Sequence, residues 1–179
     1  MLFRKIVLMS FSLLIIFQAG TMAKGPVIGS VAPAFDVVSG ADVHLLSADL
    51  KGKVVVILYE TKDVAEKNRR LKNALNKYFQ ALVDDLKKNL FALPVIDCTG
   101  AYFPFVGIWK QQLVKASQKE GLTIFGDWDG RMQKAYQAVD NDANVYLIDK
   151  SGSIRYFISG QVDDKAIAGI IGQIDQLLK

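Results

Sequence analysis

The sequence has a single cysteine, Cys98, and a single histidine, His44, among its 179 residues. One cysteine excludes an intramolecular disulfide. A zinc site of the usual kind needs several histidine or cysteine ligands, which this composition does not supply. A Ser-His-Asp or Cys-His catalytic device could use only His44. We therefore expect neither a metal nor a cofactor.

The sequence also lacks a strong excess of either charge. It carries 22 Lys and Arg against 18 Asp and Glu, a formal net charge of +4. The lysines are spread along predicted helices beside acidic residues, which is typical of a solvated face. We therefore expect no nucleic-acid partner. Hydrophobic residues make up 51% of the chain, which is enough for a core without disulfides.

The N-terminal segment has the pattern of a secretory signal peptide. Two basic residues precede an apolar stretch over residues 6–17, and Thr21-Met22-Ala23 ends in a small residue. The alternative is an uncleaved anchor helix, but a membrane span needs roughly 20 apolar residues. We predict a signal peptide over residues 1–23 and one domain over residues 24–179. The mature protein is then periplasmic or secreted and has no stable membrane anchor.

Hydrophobic patterning predicts alternating strands and helices. Val54 to Tyr59 and Phe91 to Ile96 are continuous apolar runs, typical of strands buried on both faces of a parallel sheet. Between them, apolar residues from Leu71 to Leu86 recur every three and four positions and predict one helix. The other predicted elements are strands at 35–38, 43–46, 122–125, 145–148 and 154–158, and helices at 104–118, 130–138 and 167–178, the last capped by Asp163 or Asp164.

The order of these elements predicts an α/β fold in a single domain. The two buried strands should be parallel, with a right-handed crossover through the helix between them. The last two strands flank a turn and should form an antiparallel hairpin. The central sheet is therefore mixed, has an N-terminal β extension and is flanked by helices.

Several segments carry a resemblance to known proteins. The stretch Val31-Ala32-Pro33-Ala34-Phe35 resembles the A-P-x-F entry of redoxins, the group that includes peroxiredoxins and thiol-disulfide oxidoreductases. Residues 50–56, LKGKVVV, and residues 146–154, YLIDKSGSI, resemble a strand and a hairpin of the same group. The resemblance implies a thioredoxin-like fold over nearly the whole mature chain. A narrower similarity, to the YtfJ-like periplasmic proteins, rests on residues 65–68, residues 125–130 and the terminal hairpin and helix.

The resemblance also identifies what this sequence has lost. Redox-active relatives place the two cysteines of a C-x-x-C motif at positions that correspond to Asp63 and Glu66, and a cis-proline at the position of Ala143. A carboxylate can replace neither the nucleophilic thiolate nor the resolving thiol. Asp63 and Glu66 instead have the spacing of a capping box at the start of the following helix. The alternative is a carboxylate pair for acid–base work or cation binding.

Cys98 is the candidate thiol. It follows a predicted parallel strand, so it should lie at the same sheet edge as Asp63 and Glu66, where open α/β sheets bind ligands. Asp97 beside it should raise the pKa of the thiol. Cys98 is therefore either a single-cysteine redox site or a small, buried and unreactive side chain.

Aromatic residues cluster after this cysteine. Tyr102, Phe103, Phe105 and Trp109 have a helical spacing that predicts core positions. Any exposed part of the segment Tyr102-Phe103-Pro104-Phe105 would instead form a hydrophobic docking patch.

Two segments rich in Asp and Asn, residues 127–130 and 140–144, invite comparison with calcium loops. Neither has the glycine and the distant glutamate of the full pattern. Both therefore predict turns and helix caps.

These features favour a thioredoxin-fold protein that is not a catalyst and acts as a binding or scaffold protein. Its partner would be a periplasmic protein, a peptide or a small apolar ligand at the edge where the lost motif lay. The alternative is a thiol-based oxidoreductase that works through Cys98 alone. Whether the protein is an enzyme depends on the reactivity of that thiol.

Overall fold

The computed structural model describes residues 25–179, and the predicted signal peptide lies outside them. None of the helices in this range is long and apolar enough to cross a membrane. The strands are β1 (Asp36–Ser39), β2 (His44–Leu46), β3 (Val54–Glu60), β4 (Leu90–Asp97), β5 (Phe125–Asp127), β6 (Asn144–Ile148) and β7 (Ile154–Ser159). The helices are α1 (Arg69–Ala81), α2 (Asp84–Lys87), α3 (Val106–Glu120), α4 (Arg131–Ala135) and α5 (Asp164–Leu178).

The strands form one mixed sheet in the order β2-β1-β5-β4-β3-β6-β7. β3 pairs in parallel with β4, and β4 pairs in parallel with β5. β6 and β7 form the predicted antiparallel hairpin. The β1–β2 hairpin adds to the far side of β5. The predictions of an α/β fold, of a mixed sheet and of an N-terminal β extension are confirmed.

β3 is the centre of the core because all seven of its residues are buried. Its side chains alternate between two apolar clusters, one on each face of the sheet. One cluster includes Leu71 of α1 and the buried isoleucines of α5, and the other includes Met132 and Tyr136. A strand covered on both faces needs an unbroken apolar run, which explains the pattern seen in the sequence.

The helix predicted from Leu71 to Leu86 is two helices, so that prediction was wrong. α1 ends at Ala81, and Leu82 and Val83 are extended, with ψ of 147° and 153°. Val83 was expected on the apolar face but is 65% exposed. Two aspartates follow it at the start of α2, where negative charge favours a new helix N-terminus.

The ends of two helices agree with their sequence signals. The carboxylate of Asp163 accepts a hydrogen bond of 2.7 Å from the N–H of Ala166 and caps α5, as predicted. α3 ends at Gly121, whose φ of 70° lies in the left-handed region that glycine adopts without strain.

Two short elements differ from their predicted bounds. β5 begins at Phe125 instead of Leu122 because the preceding segment is tied to α3, with the N–H of Ile124 donating to Ser117 Oγ at 2.9 Å. α4 ends at Ala135 instead of 138, and Gln137 follows with a φ of 51°.

The N-terminal lead-in lies against the hairpin at the other end of the sheet. The N–H of Gly29 donates to the carbonyl oxygen of Ile154 at 2.7 Å, and the N–H of Ala32 donates to that of Gly152 at 2.8 Å. These bonds cover the start of the edge strand β7 with a segment from the opposite end of the chain.

The β6–β7 turn is organised by the carboxylate of Asp149. Oδ1 accepts hydrogen bonds from the N–H groups of Ser151 and Ser153 at 2.9 Å, and Oδ2 accepts one from Arg155. Burial would raise the pKa of Asp149, but the hydrogen bonds from the Ser151 hydroxyl, the N–H of Ser153 and Arg155 outweigh it and lower the pKa from 3.8 to about 2.

We expect the Asp149 contribution to stability to depend on pH. Because the folded pKa lies below the unfolded one, the contribution is complete above about pH 4 and is lost as the pH falls towards about 2. Asp149→Asn should be less stable at neutral pH and should lose less stability between about pH 4 and 2. Urea unfolding at several pH values measures the free energy of unfolding at neutral pH and its loss at low pH. The exposed Asp63→Asn is the control, and an unchanged pH profile in Asp149→Asn would contradict the assignment.

Candidate functional site

The carboxyl ends of β3, β4 and β5 meet at one edge of the sheet, which we term the carboxyl edge. β3 ends at Glu60, which pairs with Ile96, and β4 ends at Asp97, which pairs with Asp127. Cys98 follows directly. Cys98 and the loop after β3 therefore lie on one edge, as predicted.

Asp63 and Glu66 do not form the predicted capping box. α1 begins only at Arg69, its N-cap is Asn68, and no side chain caps it. Asp63 lies in a short 3-10 turn from Lys62 to Val64. The chain turns once before the helix starts, so neither carboxylate reaches the free N–H groups of α1.

Glu66 instead belongs to an ion-pair cluster around Arg69. Arg69 Nε lies 2.7 Å from Glu66 Oε2, and the guanidinium also makes two bonds, of 2.8 and 2.9 Å, to Glu120 at the end of α3. The hydrogen bond from Arg69 lowers the pKa of Glu66 and of Glu120. These contacts tie the start of α1 to the end of α3.

Ala143, at the predicted cis-proline position, is fully buried at the start of β6. Its N–H donates to Asp142 Oδ1 at 2.9 Å, and its carbonyl oxygen accepts from the N–H of Gly160 at 2.9 Å. Both of its backbone polar groups are therefore used within the fold. Within residues 25–179, the cis peptide bond precedes Pro104 and not Ala143.

An ion pair joins the segment between β3 and α1 to the segment before β6. Lys67 Nζ lies 2.5 Å from Asp142 Oδ1, and Ser159 Oγ donates to Asp142 Oδ2 at 3.2 Å. Burial would raise the pKa of Asp142, but the hydrogen bonds from Lys67 and the N–H of Ala143 keep it below its ordinary value. The space between the segments is bridged by the protein's own side chains.

Asn68 makes a second, buried bridge beside that ion pair. Its Nδ2 donates to the carbonyl oxygen of Gly160 at 2.9 Å, and its Oδ1 accepts from the N–H of Val162 at 3.0 Å. The side chain therefore links the start of α1 to the segment between β7 and α5. Nothing in the sequence around Asn68 indicated that its side chain contacts a segment so far along the chain.

We expect Asn68→Ala to destabilise the protein by about 2–3 kcal/mol, because the substitution leaves two backbone groups without partners. The free energy of unfolding in urea is the measurement. Asn73→Ala, on an exposed position of α1, should change it by less than about 0.5 kcal/mol. Equal effects in the two variants would show that the bridge contributes nothing.

Cys98 is a buried thiol with 1% exposure. Burial, followed by the nearby carboxylates of Asp97 and Asp127, raises the pKa of the thiol to about 12. The direction expected from Asp97 is therefore found, with burial as the larger cause. A side chain at Gly126 would also collide with the thiol, since a Cβ there would lie 2.9 Å from Sγ. The sulfur thus sits in a tightly packed interior position.

We expect alkylation of Cys98 in the folded protein at pH 8 to be at least about a thousandfold slower than in the unfolded chain. A pKa raised from 9.0 to about 12 lowers the thiolate population by that factor, and burial slows the reaction further. The rate with iodoacetamide, with and without urea, measures it. Rapid labelling of the native protein would restore the single-cysteine redox hypothesis.

Two buried acidic residues at this edge were not predicted. Asp127 Oδ2 accepts from Tyr59 Oη at 3.0 Å and from the N–H of Gln133 at 2.9 Å, while Oδ1 accepts no hydrogen bond within residues 25–179. Glu60 is 3% exposed and pairs with Lys72 at 2.6 Å. Burial raises the pKa of Glu60 even though Lys72 lowers it. The sequence signal that could have identified these two residues is their position, because Glu60 ends β3 and Asp127 ends β5.

The middle of each Asp- and Asn-rich segment turns the chain, as predicted, but Asp127 ends β5, Asn144 begins β6 and no side chain at the N-cap position caps α4, so the prediction of helix caps was wrong. Asp129 Oδ1 accepts from the N–H of Arg131 at 3.0 Å, and Asn141 has a φ of 53°. In the part of the chain that the structure describes, no three His, Cys, Asp or Glu side chains are placed to hold a metal ion.

The aromatic segment after Cys98 lies largely on the surface. Tyr102 is 67% exposed, Phe103 90% and Phe105 44%, and Ile108 in the first turn of α3 is 51% exposed. The core positions predicted for the first three were therefore wrong. Pro104 delays the helix, so the segment forms a turn outside the core. We term these four residues the aromatic patch.

The patch has internal order. The rings of Tyr102 and Phe105 meet edge to face, with centroids 5.4 Å apart. Behind them, Trp109 is half-buried, and Lys62 Nζ lies 5.9 Å from the centroid of its ring. The contact between Lys62 and Trp109 places the first turns of α3 beside the loop that follows β3, at the carboxyl edge.

Comparison with solved structures identifies the architecture. A protein of Chlorobium tepidum assigned as the thiol:disulfide interchange protein DsbE superposes with a TM-score of 0.64, at 17% identity, over 85% of this chain and 98% of that one. The chain has a thioredoxin-like fold. The predicted fold class is therefore confirmed.

Two further structures with this fold come from outside the cytoplasm. A secreted disulfide oxidoreductase of Mycobacterium tuberculosis, homologous to DsbE of E. coli, has a TM-score of 0.56 at 15% identity, over 80% of this chain and 96% of that one. The exposed lipoprotein thioredoxin Etrx1 of Streptococcus pneumoniae has a TM-score of 0.56 at 16% identity, over 79% and 99%. No protein-family model and no curated protein sequence matches the chain.

Proposed function

We propose that this protein is a YtfJ-like redoxin relative that works outside the cytoplasm and binds a protein partner without performing thiol chemistry. The aromatic patch is the observation that carries the proposal. Four apolar side chains are exposed together at the edge of the sheet where α/β folds present their ligand sites.

The size of the patch supports a binding role. An aromatic side chain carries roughly 150–250 Å² of surface, so the observed exposures leave roughly 500 Å² uncovered. The largest apolar patch of a soluble monomer is usually about 300–600 Å² and often functional. An exposed surface of this size is costly in water unless a partner covers it for part of the time.

The state of the former redox site supports the absence of catalysis. Its two cysteine positions hold Asp63 and Glu66, and the remaining thiol, Cys98, is buried with a raised pKa. The bridge between Lys67 and Asp142 fills the space between the two segments where redox-active relatives react. The protein therefore offers a substrate disulfide no accessible thiolate and no open groove.

The proposed location rests on two independent points. The N-terminal 23 residues have the composition of a secretory signal. Two of the structural neighbours are described as secreted or as an exposed lipoprotein. An extracytoplasmic protein with a thioredoxin-like fold agrees with both.

Site-specific photo-crosslinking in cells tests the proposal. A benzoylphenylalanine at Phe103 should give a discrete crosslinked product, because this side chain is the most exposed of the patch, at 90%. Tyr102→Ser and Ile108→Ser should each reduce the yield by about tenfold, the effect of truncating an interface anchor. Mass spectrometry identifies the product.

The matched control places the same probe at Val83, which is 65% exposed on another part of the surface. A product of equal yield from Val83 would contradict a specific patch. Cys98→Ser should leave the crosslink intact, whereas loss of the crosslink in that variant would favour the single-cysteine alternative.

A further inference from the structure

A cleft of about 520 Å³ opens between the β1–β2 hairpin and the start of α4. None of its lining residues belongs to the aromatic patch or to the former redox site. Its volume falls within the range of small-molecule sites. Its lining is apolar at the floor and charged at the rim, and consists of Ala34, Phe35, Asp36, Val38, His44, Trp128, Asp129, Arg131 and Met132.

The floor contains a fixed aromatic surface. Trp128 Nε1–H donates to the carbonyl oxygen of Val38 at 2.8 Å, which holds the indole against β1. Gly126 allows this approach, because a Cβ there would lie 2.7 Å from Trp128 Nε1. Phe35, Val38 and Met132 complete an apolar lining that suits a ring or a short hydrocarbon chain.

The rim carries two carboxylates, of Asp36 and Asp129, and one guanidinium, of Arg131. Arg131 Nε lies 2.9 Å from Asp129 Oδ2, so these two charges offset each other. Asp36 Oδ1 bonds to His44 Nδ1 at 2.9 Å, while no group in residues 25–179 donates to Asp36 Oδ2. Asp36 Oδ2 is therefore a free acceptor oxygen at the cleft.

We propose that this cleft binds a small organic ammonium ion that carries an aromatic or apolar group. The ammonium group bonds to Asp36 Oδ2, and the apolar group lies on Trp128. A cation beside an indole also gains from the charge distribution of the ring. Asp36 is half-exposed, so an ammonium group can reach the carboxylate without any rearrangement that uncovers a buried charge. The inference is independent of the proposed function of the patch.

A single-tryptophan variant provides the test. Trp109→Phe leaves Trp128 as the only indole, and Trp109 lies in α3, outside the cleft. Phenethylamine should quench the fluorescence of the mature variant saturably. Its neutral analogue 2-phenylethanol and its anionic analogue 3-phenylpropionate should bind at least about tenfold more weakly, a difference of about 1.4 kcal/mol. The resonance of His44, the only histidine, should shift with the same concentration dependence.

Asp36→Asn in the same background should weaken phenethylamine binding by at least about tenfold, and Asp63→Asn should leave it unchanged. Circular dichroism checks that each variant is folded. Quenching that does not saturate, equal affinity for 2-phenylethanol, preference for 3-phenylpropionate, or full binding by Asp36→Asn would each overturn the proposal. The crosslink from the aromatic patch should be unaffected by all of these ligands, which separates failure here from failure of the proposed function.

Discussion

The burial of β3 on both faces is the constraint on which the other features depend. A strand with no exposed residue must be covered by helices on each side, and the parallel neighbour β4 needs a crossover helix to reach its place. This arrangement sets the position of the loop after β3 and of Cys98 at one edge. The same edge carries the Lys67–Asp142 ion pair and the aromatic patch.

At that edge, side-chain contacts hold the segment after β3 and the start of α1 in place. Lys67, Asn68 and Arg69 follow one another in sequence, and each reaches a different distant segment. Three consecutive residues thereby fix the start of α1 to β6, to the β7–α5 segment and to α3. The aromatic patch lies in the turn that leads into α3, at the same edge of the sheet.

The sequence predicted the sheet well because buried strands leave a strong local signal. The apolar runs of β3 and β4, the hairpin turn at Asp149 and the cap at Asp163 were all readable from a few adjacent residues. The break at Val83 and the exposure of Phe103 were not, because helical spacing does not reveal where a helix ends or which face meets the core. The bridge made by Asn68 spans 92 residues to Gly160, and a contact so distant leaves no periodic trace.

The hydrogen bonds between the N-terminal lead-in and the start of β7 set the order in which the chain can complete its fold. Gly29, Ser30 and Ala32 lack these hydrogen-bond partners until the β6–β7 hairpin has been synthesised, and β1 likewise lacks one of its two neighbours until β5 has been made. Such long-range pairing slows folding. A nascent chain with this connectivity stays unfinished until almost its whole length has left the ribosome.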